Sequence, residues 1–350
     1  MKIPVGVLGA TGTVGQRFVQ LLAGHPWFDL VAVAASERSA GRSYREACAW
    51  KLDVPMPAAA GALVVQPAEP GLACEVVFSA LDAAVAGPIE EAFAGAGYAV
   101  LSNARNHRMA DDVPLLVPEV NPEHTALIET QRRRRGWRGF IATNPNCSTA
   151  TLVLALAALE RRFGLEAVMV TTLQAISGAG YPGLPSLDIL GNVIPFIGGE
   201  EEKIERETGK ILGRLAGAAV TPHPATVSAT TTRVPVVDGH TASVSVKLES
   251  DPGLEALAEA FRAYRGVPQE RGLPSAPGHP TLLLEQEDRP QPRLDVNLEH
   301  GMASVVGRLR RCPLLGYKFV VLGHNTIRGA AGAAILNAEL LRDQGLLRGA

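Results

Sequence analysis

A chain that runs Ile3-Pro4-Val5-Gly6-Val7-Leu8, then Gly9-Ala10-Thr11-Gly12-Thr13-Val14-Gly15, then an amphipathic stretch from Gln16 to Ala23, has few folds open to it. The apolar run reads as a strand, and glycines at three-residue spacing make the turn into a helix tight. Backbone in such a turn approaches a pyrophosphate closely, with the helix N-terminus facing the anion. Gly9, Thr11, Gly12, Thr13 and Val14 are therefore candidate cofactor residues. The spacing departs from the commoner Gly-x-Gly-x-x-Gly. Its place at the first β-to-α turn carries the reading, and a glycine turn with no ligand is the alternative.

The alternation continues. Leu30 to Ala35, Glu75 to Leu81 and Ala99 to Leu101 read as strands and Ile89 to Ala94 as a helix, whereas residues 42–71 read as irregular. Strands alternating with helices predict a parallel, doubly wound sheet. The second strand ends in Ser36-Glu37-Arg38-Ser39, where an NAD-binding unit usually carries an acid for the ribose hydroxyls. Arg38 with Ser36 and Ser39 suits a 2′-phosphate, which favours NADP. Glu37 is the complication, since it could face a ribose, and a plain solvated loop is the bland reading. Ser79 lies in the small-residue end of the next strand, suited to passing under a cofactor. The polar loop Ser102 to Met109, with Arg105 and Arg108, follows a strand end where open α/β sheets bind ligands.

Thr143-Asn144-Pro145-Asn146-Cys147-Ser148-Thr149 joins an apolar strand, Gly139 to Ala142, to an Ala/Leu-rich helix, Ala150 to Leu159. Ser148 or Thr149 is expected to cap that helix. Cys147 then sits just ahead of a helix N-terminus, where free N–H groups and the dipole favour a nucleophilic thiolate. A lone cysteine is more often a small buried hydrophobe, but polar turn residues flank this one on both sides.

Beyond this helix the pattern changes. Val168 to Ile176 reads as a strand opening into the glycine-rich bend Ser177 to Gly183, and Gly199 to Leu212 as a charged helix. Ala229 to Val236 leads through Val237-Asp238-Gly239 into the alternating strand His240 to Leu248. Strands follow at Ser304 to Leu309 and Tyr317 to Leu322, then an Ala/Leu-rich helix to about Leu341. The expectation is an N-terminal Rossmann-like doubly wound sheet plus a second α+β domain with a mainly antiparallel sheet. The units are 1–146 with 325–350, and 147–324. A net charge of −2 calls for neither nucleic acid nor an anionic membrane. The run Gln131 to Arg138 reads as a solvated surface loop. Cys48, Cys74, Cys147 and Cys312 are too scattered for a disulfide framework or a metal site. No apolar run reaches membrane length and no signal segment precedes the first strand, so a reducing cytoplasm is expected.

These motifs together resemble the aspartate-semialdehyde dehydrogenases, in particular the archaeal and fungal-type branch. The resemblance covers nearly the whole chain: Gly9–Gly15, Ser36–Gly41, Ser102–Arg108, Asn144–Thr149, Gln174–Gly183, Glu200–Gly213, Arg233–His240 and His324–Ala331. It implies Cys147 as nucleophile, His240 as general base and Gln174 positioning substrate or a water. It implies Arg233 and Glu207 on the substrate carboxylate and amino group, and Arg108, Asn146 and Lys210 on phosphate. Ser177, Gly178 and Asn325 would meet the cofactor, Asn325 at the nicotinamide amide. Arg105 stands where the family pattern leads one to expect lysine. The implied reaction reduces aspartyl phosphate through a Cys thioester with NADP, in a homodimer or homotetramer. Two rivals stay open: an acyl-CoA reductase of the malonyl-CoA type on the same fold, and a protein that senses NADP without turnover.

Overall fold

A computed structural model describes residues 1–347. The first half builds β1 (Ile3–Leu8), α1 (Thr13–Leu22), β2 (Phe28–Ala35), β3 (Val65–Pro67), β4 (Val76–Ser79), α2 (Ala83–Ala96), β5 (Ala99–Ser102), α3 (Leu127–Arg135) and β6 (Phe140–Thr143). The six strands form one all-parallel sheet in the order β3-β2-β1-β4-β5-β6. Strand order reverses between β1 and β4. That switch point opens a crevice beyond the carboxyl ends of the strands, where such sheets take a dinucleotide. Every residue of β4, β5 and β6 is buried, as expected of strands with helices on both faces.

The second half begins with α4 (Cys147–Phe163) and continues through β7 (Leu165–Gln174), α5 (Glu200–Ile211), β8 (Thr226–Arg233), β9 (His240–Leu248), β10 (Thr281–Leu284), β11 (Ser304–Cys312) and β12 (Gly316–Gly323). Its sheet runs β8-β7-β9-β12-β11-β10. The three central pairings are antiparallel and the two outer ones parallel, so the sheet is mixed with an antiparallel centre. α4 lies under it, buried from Ser148 to Leu159. Alternation along β7 leaves Met169 and Leu173 exposed on the other face. After a π-turn at Ile327–Ala331, α6 (Gly332–Asp343) returns to the first sheet, where Ala334, Ile335, Ala338 and Leu341 join its core.

Three local expectations need correction. Residues 42–71 are not irregular throughout: short helices form at Tyr44–Ala47 and Ala58–Ala62, and β3 closes the sheet edge. A capping box between Ser43 and Glu46 starts the first helix, and strand or helix pieces this short leave no periodic signal. The arginine run is the C-terminal half of α3 and not a loop; Gly136 ends it in the left-handed conformation. Arg135 makes a two-pronged bond to Asp112, at 2.6 and 2.8 Å. Finally, neither Ser148 nor Thr149 caps α4. Asn146 does, its Oδ1 accepting from the N–H groups of Ser148 at 2.9 Å and Thr149 at 3.3 Å.

Candidate active site

Register in the second sheet assembles one wall of the site. Arg233 at the end of β8 lies beside Gln174 at the end of β7. β9 starts at His240, opposite Gly323 of β12, and pairs Thr241 with Leu173. Gln174, Arg233, His240 and the segment through Asn325 thus reach one sheet edge. The N-terminus of α4 faces them, with Cys147 as its first residue. Two glycines permit the approach. A Cβ on Gly178 would lie 2.9 Å from both Arg233 Nη1 and His240 Cε1, and one on Gly329 would lie 2.6 Å from Cys147 Cβ.

Cys147 Sγ and His240 Nε2 are 3.2 Å apart. His240 Nδ1 accepts from the backbone N–H of Ala175 at 3.0 Å. A neutral imidazole held this way carries its proton on Nε2, aimed at the sulfur. Acting as a base toward the thiol would require breaking the Ala175 bond first. Burial, then the positive Arg233, lower His240 to about 3, so it is neutral at pH 7. Burial, then the Glu200 carboxylate, push the Cys147 thiol up to about 12, against the pull of Arg108, Arg233 and the Ser148 N–H. The helix-start expectation of a lowered thiol is therefore overturned. A helix dipole is worth about 0.3–1 kcal/mol, less than the desolvation of a charged sulfur.

Arg108, Glu207, Asn146 and Glu200 form a continuous buried chain. Arg108 Nη1 donates to Glu207 Oε1 at 2.9 Å, and Nη2 donates to the Asn103 carbonyl at 2.6 Å. Glu207 Oε2 accepts from the Asn146 N–H, and Glu200 Oε1 from Asn146 Nδ2, both at 2.6 Å. Arg108 Nε is buried without a partner among the described residues. Arg233 Nη1 donates to the Ala175 carbonyl at 2.8 Å, and Gln174 Nε2 to Thr172 Oγ1 at 3.3 Å. Lys210 lies beside Arg108, its ammonium donating to the carbonyls of Arg108, Ala110 and Val113, each at 2.8 Å. Glu200 was missed by sequence reasoning. The available signal was its spacing: Glu200, Ile204, Glu207 and Ile211 fall on one buried helix face.

The glycine turn fits a dinucleotide. Gly9 has φ of 72°, and a Cβ there would meet the Ala80 carbonyl at 2.6 Å; a Cβ on Gly15 would meet the Gly9 carbonyl at 2.2 Å. No side chain caps α1 at Gly12, so the first N–H groups, from Thr13 and Val14 on, have no side-chain acceptor. The Thr11 carbonyl braces the turn by accepting from Gln16 Nε2 at 2.9 Å. Ser79 Oγ, at the β4 end beside the crevice, is buried without a partner among the described residues. A cavity of about 720 Å³ extends from Thr13 along Arg17 to Ser177, Gly180, His324 and Thr326. Arg17 and His324 were not singled out in the sequence. Asn325 spans this wall, accepting from the Gly239 N–H at 2.9 Å and donating to Ser177 Oγ at 2.8 Å. Ser36 and Arg38 are exposed and Ser39 half-buried beyond β2; Arg38 has no ion-pair partner among the described residues. No group of three His, Cys, Asp or Glu side chains placed to hold a metal occurs among the described residues, and no helix there is long and apolar enough to cross a membrane.

Two family models match the chain: "Semialdehyde dehydrogenase, NAD binding domain" over residues 4–128 and "Semialdehyde dehydrogenase, dimerisation domain" over residues 156–328. The aspartate-semialdehyde dehydrogenase of Methanothermobacter thermautotrophicus is 51% identical, over 97% of this chain and 99% of that one. The crystal structure of the Candida albicans aspartate-semialdehyde dehydrogenase with NADP superposes with a TM-score of 0.91 at 45% identity, covering 99% of this chain and 100% of that one. Aspartate-semialdehyde dehydrogenase II of Vibrio cholerae, complexed with ASA, gives a TM-score of 0.78 at 26% identity, over 98% of this chain and 99% of that one. With both sheets, the cysteine-bearing helix start and the glycine turn inside this full-length match, the chain belongs to the aspartate-semialdehyde dehydrogenase family.

Proposed function

We propose that this protein reduces L-4-aspartyl phosphate to L-aspartate 4-semialdehyde and phosphate, with NADPH as reductant. The observation that carries the reading is the 3.2 Å contact between Cys147 Sγ and His240 Nε2, at a helix start facing Arg233. Sγ attacks the acyl carbon, the C–O bond to phosphate breaks and a thioester forms, the thiol proton leaving with the departing group as hydrogen phosphate. Arg233 takes the substrate carboxylate and Gln174 orients the reacting carbonyl or a water. Arg108, through its unpartnered Nε, receives the leaving phosphate together with Asn146 and Lys210. The substrate ammonium, placed against Glu207 near Glu200, offsets the Glu200 charge that raises the Cys147 thiol. His240 donates from Nε2 to the sulfur, or to the oxygen that gains charge on the acyl carbon. NADPH, when bound, supplies the hydride that turns the acyl group into the aldehyde. Gly9, Thr11, Gly12, Thr13, Val14 and Ser79 hold its diphosphate side. Ser177, Gly178 and Asn325 hold the nicotinamide side. In this reading residues 1–146 with 325–350 bind NADP, and 147–324 carry catalysis and a subunit contact in a homodimer or homotetramer. The exposed Met169 and Leu173 on the open sheet face support such a contact.

The test runs the reaction backwards, with aspartate semialdehyde and NADP⁺, followed at the NADPH absorbance. Turnover that requires inorganic phosphate and fails when CoA replaces it supports the reading. Turnover with malonate semialdehyde and CoA, without phosphate, establishes the acyl-CoA reductase instead, and no turnover with either leaves the NADP sensor. The cofactor assignment has its own check. Arg38→Ala should raise the NADP⁺ KM by one to two decades, because a charge-assisted bond is worth about 1.5–3 kcal/mol, and should leave the NAD⁺ KM unchanged. An unaltered NADP/NAD preference in the variant would take Arg38 out of the site.

A further inference from the structure

We propose that Tyr44 and Gln16 are positioning residues that aim the glycine turn at the cofactor diphosphate by holding its carbonyl groups from behind. The inference rests on the NADP assignment above and deepens it. Both side chains are buried, Tyr44 completely, and their polar atoms end on backbone. Tyr44 donates from its hydroxyl to the Ala10 carbonyl at 2.7 Å, and Gln16 Nε2 donates to the Thr11 carbonyl at 2.9 Å. Two successive carbonyls of the turn are thus tied to side chains. A trans peptide points its N–H opposite to its carbonyl. With the Ala10 oxygen on Tyr44, the Thr11 N–H is directed to the other side of the turn. The Ala10 N–H already donates to the Ala34 carbonyl at 3.0 Å, and the Gly12 N–H to the Gly9 carbonyl at 3.1 Å. The N–H groups of Thr11, Thr13 and Val14 have no acceptor among the described residues, which leaves them for an anion at the start of α1.

The tie comes from a segment well outside the turn. Tyr44 opens the short helix that the Ser43–Glu46 capping box starts, and its own N–H donates to the Leu63 carbonyl at 2.7 Å. Gln16 grips the far end of the same segment. Its Nε2 also donates to the Ala49 carbonyl at 3.1 Å, and its Oε1 accepts from the Lys51 N–H at 2.7 Å. Residues 44–51 therefore form a fixed backing for the turn. Ala10 has no exposed surface, so its carbonyl has no water to turn to once Tyr44 lets go. An unmade bond at a buried carbonyl is costly, and the peptide relieves it by rotating toward another donor. The Thr11 N–H rotates with it and leaves the diphosphate.

The experiment compares wild type, Tyr44→Phe and Gln16→Met for the Kd of NADP⁺, of NAD⁺ and of adenosine 2′-phosphate by calorimetric titration, and for thermal melting. Phenylalanine keeps the buried ring and removes only the hydroxyl. In each variant the Kd of NADP⁺ and of NAD⁺ should rise by the same factor, about tenfold, since a hydrogen bond to a charged group is worth about one to two decades in an equilibrium constant. The Kd of adenosine 2′-phosphate, which carries no diphosphate, should move less than about twofold. A merely structural role would lower the melting temperature without this selectivity, and Arg38→Ala gives the opposite pattern by separating NADP⁺ from NAD⁺. Should Tyr44→Phe give no cooperative melting transition, Gln16→Met decides by the same pattern. Dinucleotide Kd values within about twofold of wild type in a folded variant, or an equal loss of adenosine 2′-phosphate binding, overturn the inference and leave the functional reading standing. A wild-type protein that binds neither dinucleotide overturns both.

Discussion

Cys147→Ser should reduce turnover to below about one per cent of wild type while the Kd for NADP⁺ stays within about twofold, because an alkoxide is far less accessible than a thiolate. Position does not rescue the serine. At the first residue of α4 the helix offers about 0.3–1 kcal/mol to a negative charge, and burial already holds the thiol at about 12. A hydroxyl starts several units higher still. The substitution is otherwise mild. Gly329 packs against Cα and Cβ of Cys147, which serine retains, and the cap comes from Asn146 Oδ1. Loss of activity with an unchanged melting temperature therefore reads on chemistry and not on folding. The measurement pairs steady-state kcat with a cofactor titration by NADPH fluorescence. A variant that keeps more than about five per cent of wild-type kcat would remove Cys147 as nucleophile, since covalent catalysis leaves no such residue.

How far the site was legible follows from which interactions a linear pattern carries. Strand-to-helix junctions carry much of it: the Gly9 turn and the Asn146-Cys147 step are local, so propensity, spacing and turn chemistry place them. The alternating burial of β9 after His240 is local too. What was not legible comes from elements far apart in the chain. Cys147 lies at a helix start, and the local rule lowers its pKa. Burial between the two sheets and Glu200, brought in by α5, reverse the sign. Lys210 binds carbonyl groups, and backbone acceptors have no signature in a side-chain sequence. Asn146 took the capping role from Ser148 and Thr149 because Cys147 is already helical. The arginine run hid a helix because its buried contacts come from Leu127, Ile128 and Thr130 ahead of it and from Gln131 at its first position.

His240→Ala should cost about 10²–10⁴ in kcat, and the informative comparison is His240→Gln. The Ala175 N–H occupies Nδ1, so neutral His240 presents an N–H to Sγ and no lone pair. Glutamine places an amide N–H near the position of Nε2 and has no titratable nitrogen there. If His240 works by donating to the sulfur and to charge building on the acyl oxygen, His240→Gln retains at least about tenfold more activity than His240→Ala, since a donor aimed at developing charge is worth about 2.7–4 kcal/mol. If His240 works as a base, both variants fall equally, because neither side chain accepts a proton. The pH profile gives an independent check. Burial and Arg233 hold His240 at about 3, so it stays neutral through the working range. The log of kcat/KM between about pH 5 and 8 should then carry no step removed by His240→Gln, although an unperturbed imidazole would titrate near 6.5. A step near that value, lost in the variant, would show that the Ala175 bond opens during turnover and that His240 carries the thiol proton.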